Sequence, residues 1–142
     1  MKSFKQYITE LFDNPANFDK TVDDSLFFRN YNYTAQISGK ELEFTAKEEK
    51  VGYWIVSFSF DNEKNKVYSK GKEVEIFSTV IAMFKDFIKD VNPTDISFAA
   101  KTEEQSRVSL YDRMIRILGK KYGYKLVDTR SVMGHMYYHL SK

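Results

Sequence analysis

Val67-Tyr68-Ser69-Lys70-Gly71-Lys72 leads into a helical run that ends near Val91, and Asn92-Pro93-Thr94-Asp95 turns the chain into Ile96-Ser97-Phe98-Ala99-Ala100. Thr102-Glu103-Glu104-Gln105 then opens a second helix. This loop, helix, strand and helix decide the fold. From about Glu73, Phe77, Val80, Ile81, Phe84, Ile88 and Val91 recur at helical spacing, with Glu75, Ser78, Ala82, Lys85 and Lys89 on the opposite face. Pro93 disfavours the α-region for Asn92, so the helix stops there. Thr102 and Gln105 make a capping box for the second helix. That helix places Leu110, Tyr111, Met114, Ile115, Ile117 and Leu118 inward and Ser109, Arg113, Arg116 and Lys120 outward, and ends near Gly123.

Upstream, the apolar spacing changes from helical to alternating. Tyr31, Tyr33, Ala35 and Ile37 oppose Asn32, Thr34 and Gln36, and Leu42, Phe44 and Ala46 oppose Glu41, Glu43, Thr45 and Lys47. Ser38-Gly39 between them predicts an antiparallel hairpin with one wet face. Val51 to Phe60 is the strongest strand, with Trp54, Val56, Phe58 and Phe60 on one face and Tyr53 and Ile55 on the other. An apolar content on both faces predicts a central position. Downstream, Tyr124 to Val132 and His135 to Leu140 read as two closing strands joined at Met133-Gly134. Residues 13–30 are polar with scattered aromatics and read as loop. Three meandering strands, a helix, a strand, a helix and two strands describe an α+β or mixed α/β sheet with helices packed on it.

A chain of 142 residues holds one domain with a real core. Hydrophobic residues at 42% and aromatics at 16% exclude a disordered chain. The absence of cysteine excludes a disulfide framework, a thiolate metal site and a cysteine nucleophile, and fits a reducing cytoplasm. No apolar run approaches the roughly 18 residues of a membrane span. With 22 basic against 20 acidic residues, the charge balance does not suit a broad nucleic-acid footprint. Arg113, Arg116, Lys120, Lys121 and Lys125 still form a basic edge, which leaves a small nucleic-acid-associated accessory protein as a minor reading.

Residues 1–12 carry Phe4, Tyr7, Ile8 and Leu11 at i, i+3, i+4 and i+7, an amphipathic helix that stops at Asn14-Pro15. The opening decapeptide, Met1 to Glu10, resembles the capsid-targeting leader of internal head proteins from large tailed bacteriophages. It shares their Met-Lys start, aromatic-rich amphipathic body and Ile/Leu-x-Glu end, here Ile8-Thr9-Glu10. That resemblance implies a phage-encoded protein, cleavage after Glu10 by the prohead protease, a phage head or host protein as partner, and residence in the virion or the host cytoplasm.

Residues 13–142 form a single domain whose element order is similar to the core of the GNAT superfamily of N-acetyltransferases. Ser106-Arg107-Val108-Ser109-Leu110-Tyr111, with Tyr122-Gly123-Tyr124 one helix later, resembles that family's Asn-x-x-Ala-x-x-Leu-Tyr segment and Gly-Phe ending. Glu104 and Arg107 stand where the family has asparagine and alanine, and the intervening helix is longer. The resemblance implies acetyl-CoA as cofactor, held between the strands at 51–60 and 96–100, and Tyr111 as the acid that protonates the departing thiolate. Tyr111 also has a plain reading as a core tyrosine in mid-stripe.

The family's pyrophosphate turn, Arg/Gln-x-x-Gly-x-Gly/Ala, presents backbone amides and a helix dipole to an anion. Its counterpart here is Ser69-Lys70-Gly71-Lys72, but Tyr68 stands for the Arg or Gln and Glu73 for the second glycine. Glu73 and Glu75 at a helix start suit the macrodipole and repel a diphosphate, which Lys70 and Lys72 offset in part. The turn reads as degraded. Two functions therefore stand open: a divergent, virion-associated or host-directed binding protein without cofactor, and a working acyl-CoA-dependent N-acyltransferase. No metal site is expected. His135 and His139 share a strand face, but four residues of strand separate them by about 13 Å, too far for one ion.

Overall fold

The computed structural model describes residues 15–24, 28–60, 70–101, 112, 115–116 and 119–142, with side chains for all of these except 70–74, 100 and 101. Its elements are β1 (Phe18–Asp24), β2 (Arg29–Ile37), β3 (Lys40–Lys50), β4 (Tyr53–Phe60), α1 (Lys70–Val91), β5 (Asp95–Lys101), β6 (Lys125–Val132) and β7 (His135–Ser141). The described residues within 112–122 are helical and form α2. Seven strands join in the order β1-β2-β3-β4-β5-β7-β6. β5 runs parallel to β4 and antiparallel to β7, and β7 pairs antiparallel with β6. The fold is α+β with a mixed sheet.

The turns are those the residue types require. Ser38 and Gly39 at φ 54° and 77°, and Met133 and Gly134 at 49° and 78°, occupy the left-handed region that two-residue hairpins need at both central positions. Asn92 at φ 51° ends α1, its amide donating to Ile88 O at 2.8 Å.

The chain divides into two compact units. One holds β1 to Asp23, Tyr31–Thr45 and Phe58–Asn92. Its core is α1 against aromatic strand residues. Phe87 stacks on Tyr31 with centroids 5.6 Å apart, Phe84 meets Phe44 edge-on at 6.3 Å, and Phe77 meets Phe58 at 6.3 Å. The buried face of α1 is wider than its apolar stripe and also takes Ile76, Met83, Phe87, Ser78 and Thr79. Thr79 fits there because its hydroxyl donates to Glu75 O at 2.7 Å and accepts from Ala16 N–H at 2.9 Å. Lys20 lies 2.9 Å from Asp86 and 3.1 Å from Asp90, while the hydroxyls of Tyr33 and Tyr31 donate to these carboxylates, each at 2.8 Å. Burial, then the hydrogen bond to Asp86, pushes the Tyr33 phenol far up, so it stays a neutral donor.

The second unit holds Asp24–Asn30, Ala46–Ser57 and Pro93–Lys142. Trp54, Ile96, Phe98, Ile115, Tyr124, Tyr138 and Leu140 are its buried apolar residues, together with Ala46 and Val56. Arg29 Nε and Nη2 reach the two oxygens of Glu48 at 3.4 and 3.2 Å, with the guanidinium 5.1 Å over the Trp54 ring. The Glu48 side chain is 9% exposed, and the hydrogen bond from Arg29 holds its carboxyl below the usual range. A depressed carboxyl contributes stability above its unfolded pKa and loses it as pH falls through the folded one. Glu48→Gln is therefore expected to cost about 1–2 kcal/mol near pH 7. The gap from wild type should close below about pH 4. Urea melts at the two pH values check this, and a gap of constant size would contradict it.

Ser78, expected on the outward face of α1, is buried, and three further expectations change. Residues 18–24 are strand, not loop. β1 exposes every residue after Phe18, so it has no apolar alternation to read and exists through its place at the sheet edge. α1 begins at Lys70 rather than Glu73, so Gly71 and Lys72 lie in its first turn. Tyr53 and Ile55 are half-buried rather than packed away on the second face of β4.

Candidate functional site

The second unit carries a cavity of about 520 Å³ lined by Glu49, Lys50, Tyr53, Ile55, Ser97, Asp128, Arg130, Val132, Tyr137 and His139. Register explains why these residues meet. Residues directly opposite one another in neighbouring strands share a face. Ile55 is paired with Ser97, Ser97 with His139, His139 with Asp128, and Tyr137 with Arg130. The floor is thus two tyrosines, a histidine, an isoleucine and a serine, drawn from β4, β5 and β7. Glu49 and Lys50 supply an acid and a base from β3, and Asp128 and Arg130 supply another pair from β6.

Within this floor, His139 Nε2 lies 2.9 Å from Asp95 Oδ1, with both side chains 30% exposed. A carboxylate can only accept, so Nε2 carries the proton and a neutral ring keeps its lone pair on Nδ1. Asp95 therefore fixes the tautomer and orientation of a potential base. Tyr53 OH and Ser97 Oγ share a hydrogen bond of 2.5 Å, and the Tyr53 ring meets the His139 ring edge-on at 5.5 Å. Asp95 is held in turn, its amide donating to Gly52 O at 3.0 Å. Tyr124 lies behind this corner. Its hydroxyl donates to Pro93 O at 2.5 Å, and burial, with a smaller push from Asp95, raises its phenol to about 12.

The arrangement offers a planar, partly aromatic recess, charges of both signs at its rims, and one histidine able to take a proton. Asp95 and His139 are 44 residues apart and no local pattern links them; only the β5–β7 register does. Arg130 likewise lies outside the basic edge of α2, where Arg116 pairs with Asp112 at 3.3 Å. The chain is similar in fold to a GNAT-family acetyltransferase. That protein, from Bacillus anthracis, shares 14% identity, with a TM-score of 0.42. The match covers 80% of this chain and 64% of that one, so this chain spans less than two thirds of that protein's length. No family model matches the sequence, and no curated protein matches it.

Of the residues singled out in the sequence, Tyr111, Ser69 and Glu10 lie outside the described residues. Lys70, Gly71 and Lys72 form the first turn of α1, and their side chains are outside the described set. The strands expected to flank a cofactor, β4 and β5, are parallel neighbours from Tyr53↔Asp95 to Val56↔Phe98. His135 and His139 both lie on β7, flanking Tyr137. Among the described residues, no group of three or more His, Cys, Asp or Glu side chains is placed to share a metal ion, and no helix is long and apolar enough to cross a membrane.

Proposed function

We propose that this is a phage-encoded, divergent GNAT-fold binding protein, virion-associated or host-directed, that works without acetyl-CoA. The observation that carries the reading is the first turn of α1. The amides of such a turn have no intrahelical partners and attract anions. With the helix starting at Lys70, Glu73 and Glu75 fall in its opening turns, and acidic residue types there suit the positive end of the helix dipole. Glu73 also replaces the glycine through which a diphosphate would approach the backbone. These residues do not fit the cofactor's diphosphate. The leader-like decapeptide supports the virion or the host as the place of action. Calorimetry at low salt is expected to show no acetyl-CoA binding at millimolar cofactor, and micromolar binding would overturn the reading. In purified virions, mass spectrometry is expected to find the chain truncated after Glu10. Its absence from virions would leave only the host-directed role.

One observation favours a second reading, an acyl-CoA-dependent N-acyltransferase. The Asp95–His139 pair supplies what such an enzyme needs and the sequence alone did not offer, an oriented base for the proton of an attacking amine. Tyr111 would supply the acid. If the chain is an acyltransferase, His139→Ala should lower kcat by about 10²–10⁴-fold. Activity left intact in both His139→Ala and Tyr111→Phe would remove these roles.

A further inference from the structure

β6 closes one end of the sheet, and among the described residues its outer edge has no neighbouring strand. All eight of its residues are exposed. Seven large apolar side chains are exposed among the described residues, and four of them, Leu126, Val127, Val132 and Met133, belong to β6 and its turn. An open, partly apolar edge of this length is a template for another strand. Natural edges are usually guarded by charge, and β6 carries charge in a particular order: Asp128, Thr129, Arg130.

We propose that β6 is the surface on which a second copy of this chain docks, antiparallel and edge to edge, centred on Thr129. In that register Asp128 of each copy faces Arg130 of the other, and Thr129 faces Thr129. Centring the pair one residue away sets Arg130 against Arg130 or Asp128 against Asp128, which like charges disfavour. The order of charges thus selects one register and admits the same chain as its own partner, as a two-fold interface requires. Asp128 and Arg130 now pair only loosely within one copy, at 3.6 Å with side chains 51% and 74% exposed, so both are available. Val127 of one copy and Val132 of the other flank the charged centre at each end. The bulge between Leu126 and Asp128 bounds the regular part of the ladder, leaving 128–132 in even alternation. Because Asp128, Arg130 and Val132 also line the cavity, the second copy's β6 would form that cavity's outer wall.

Sedimentation velocity across a concentration series tests this on the full chain. A reversible dimer is expected for wild type. Asp128→Arg and Arg130→Asp should each be monomeric, since each sets like charges across the centre. The double variant, Asp128→Arg with Arg130→Asp, should dimerise again. A wild type that stays monomeric throughout, or single variants that dimerise as well as wild type, overturns the proposal. Hydrogen exchange gives a readout on wild type alone. The β6 amides should gain protection on concentration, and exchange unchanged by concentration overturns the proposal equally.

Discussion

Phe84→Ala is expected to remove about 3–5 kcal/mol of stability, a large share of the 5–15 kcal/mol that holds a typical domain folded. The ring is fully buried on α1, edge-on to Phe44 at 6.3 Å and to Phe87 at 6.4 Å. Truncation deletes the ring's transfer energy and leaves a hole that two other rings border. Phe44 is itself held edge-on by Tyr33 at 5.5 Å, and Tyr33 is tied through its hydroxyl to Asp86. The surroundings therefore cannot collapse far into the space, and the cost falls toward the upper end of the range. Alanine's better helix propensity returns only a few tenths of a kcal/mol at an internal position. Urea unfolding followed by circular dichroism would show the midpoint falling at constant slope. A loss below about 1 kcal/mol would mean that Phe84 is not at the centre of this unit. Phe84→Leu, which keeps most of the volume, should cost much less.

The same helix shows what could be read from the chain alone. Phe77, Val80, Ile81, Phe84 and Ile88 announce themselves by spacing, and each is buried. Phe87 and Met83 lie beside that stripe and are buried as well, because several aromatic strand residues cover more than one face of the helix. The hairpin at Ser38-Gly39 and the Met133-Gly134 turn were legible through their glycines, which take the positive φ that these turns need. β1 was not, since an exposed edge strand owes its form to a neighbour rather than to alternation. The candidate site was the least legible part. His139 drew attention for a metal it cannot share with His135, whereas its actual partner is Asp95, which strand register sets diagonally across from it, two residues from the directly opposite Ser97. Tyr53 reads as half of an apolar strand face, and nothing local shows that its hydroxyl meets Ser97. Chemistry assembled across strands leaves almost no trace in short-range sequence, while helices and turns are written in it.

Gly119→Val is expected to cost about 2–3 kcal/mol, although valine is no worse than glycine as a helix former. A Cβ on residue 119 would lie 2.7 Å from the carbonyl oxygen of Tyr124 and 3.6 Å from its carbon. That oxygen is backbone, so no rotamer change can clear it. The backbone itself is fixed on several sides. Gly119 O accepts the Tyr124 amide at 2.8 Å, Gly123 turns the chain between them at φ 78°, and the Tyr124 hydroxyl is bound to Pro93 O. The ring, 4% exposed, lies under the Lys142 ammonium at 5.3 Å. Relief would require opening the end of α2 or withdrawing Tyr124 from the core, and either loses more than the overlap. Gly119→Ala meets the same oxygen with a smaller group and gains about 1 kcal/mol of helix propensity, so its net cost should be clearly less than that of valine. Thermal and urea melts of the two variants test the ordering. Equal stability of Gly119→Val and wild type would mean that the chain between Gly119 and Tyr124 yields freely, and that the close approach there does not hold the helix end in place.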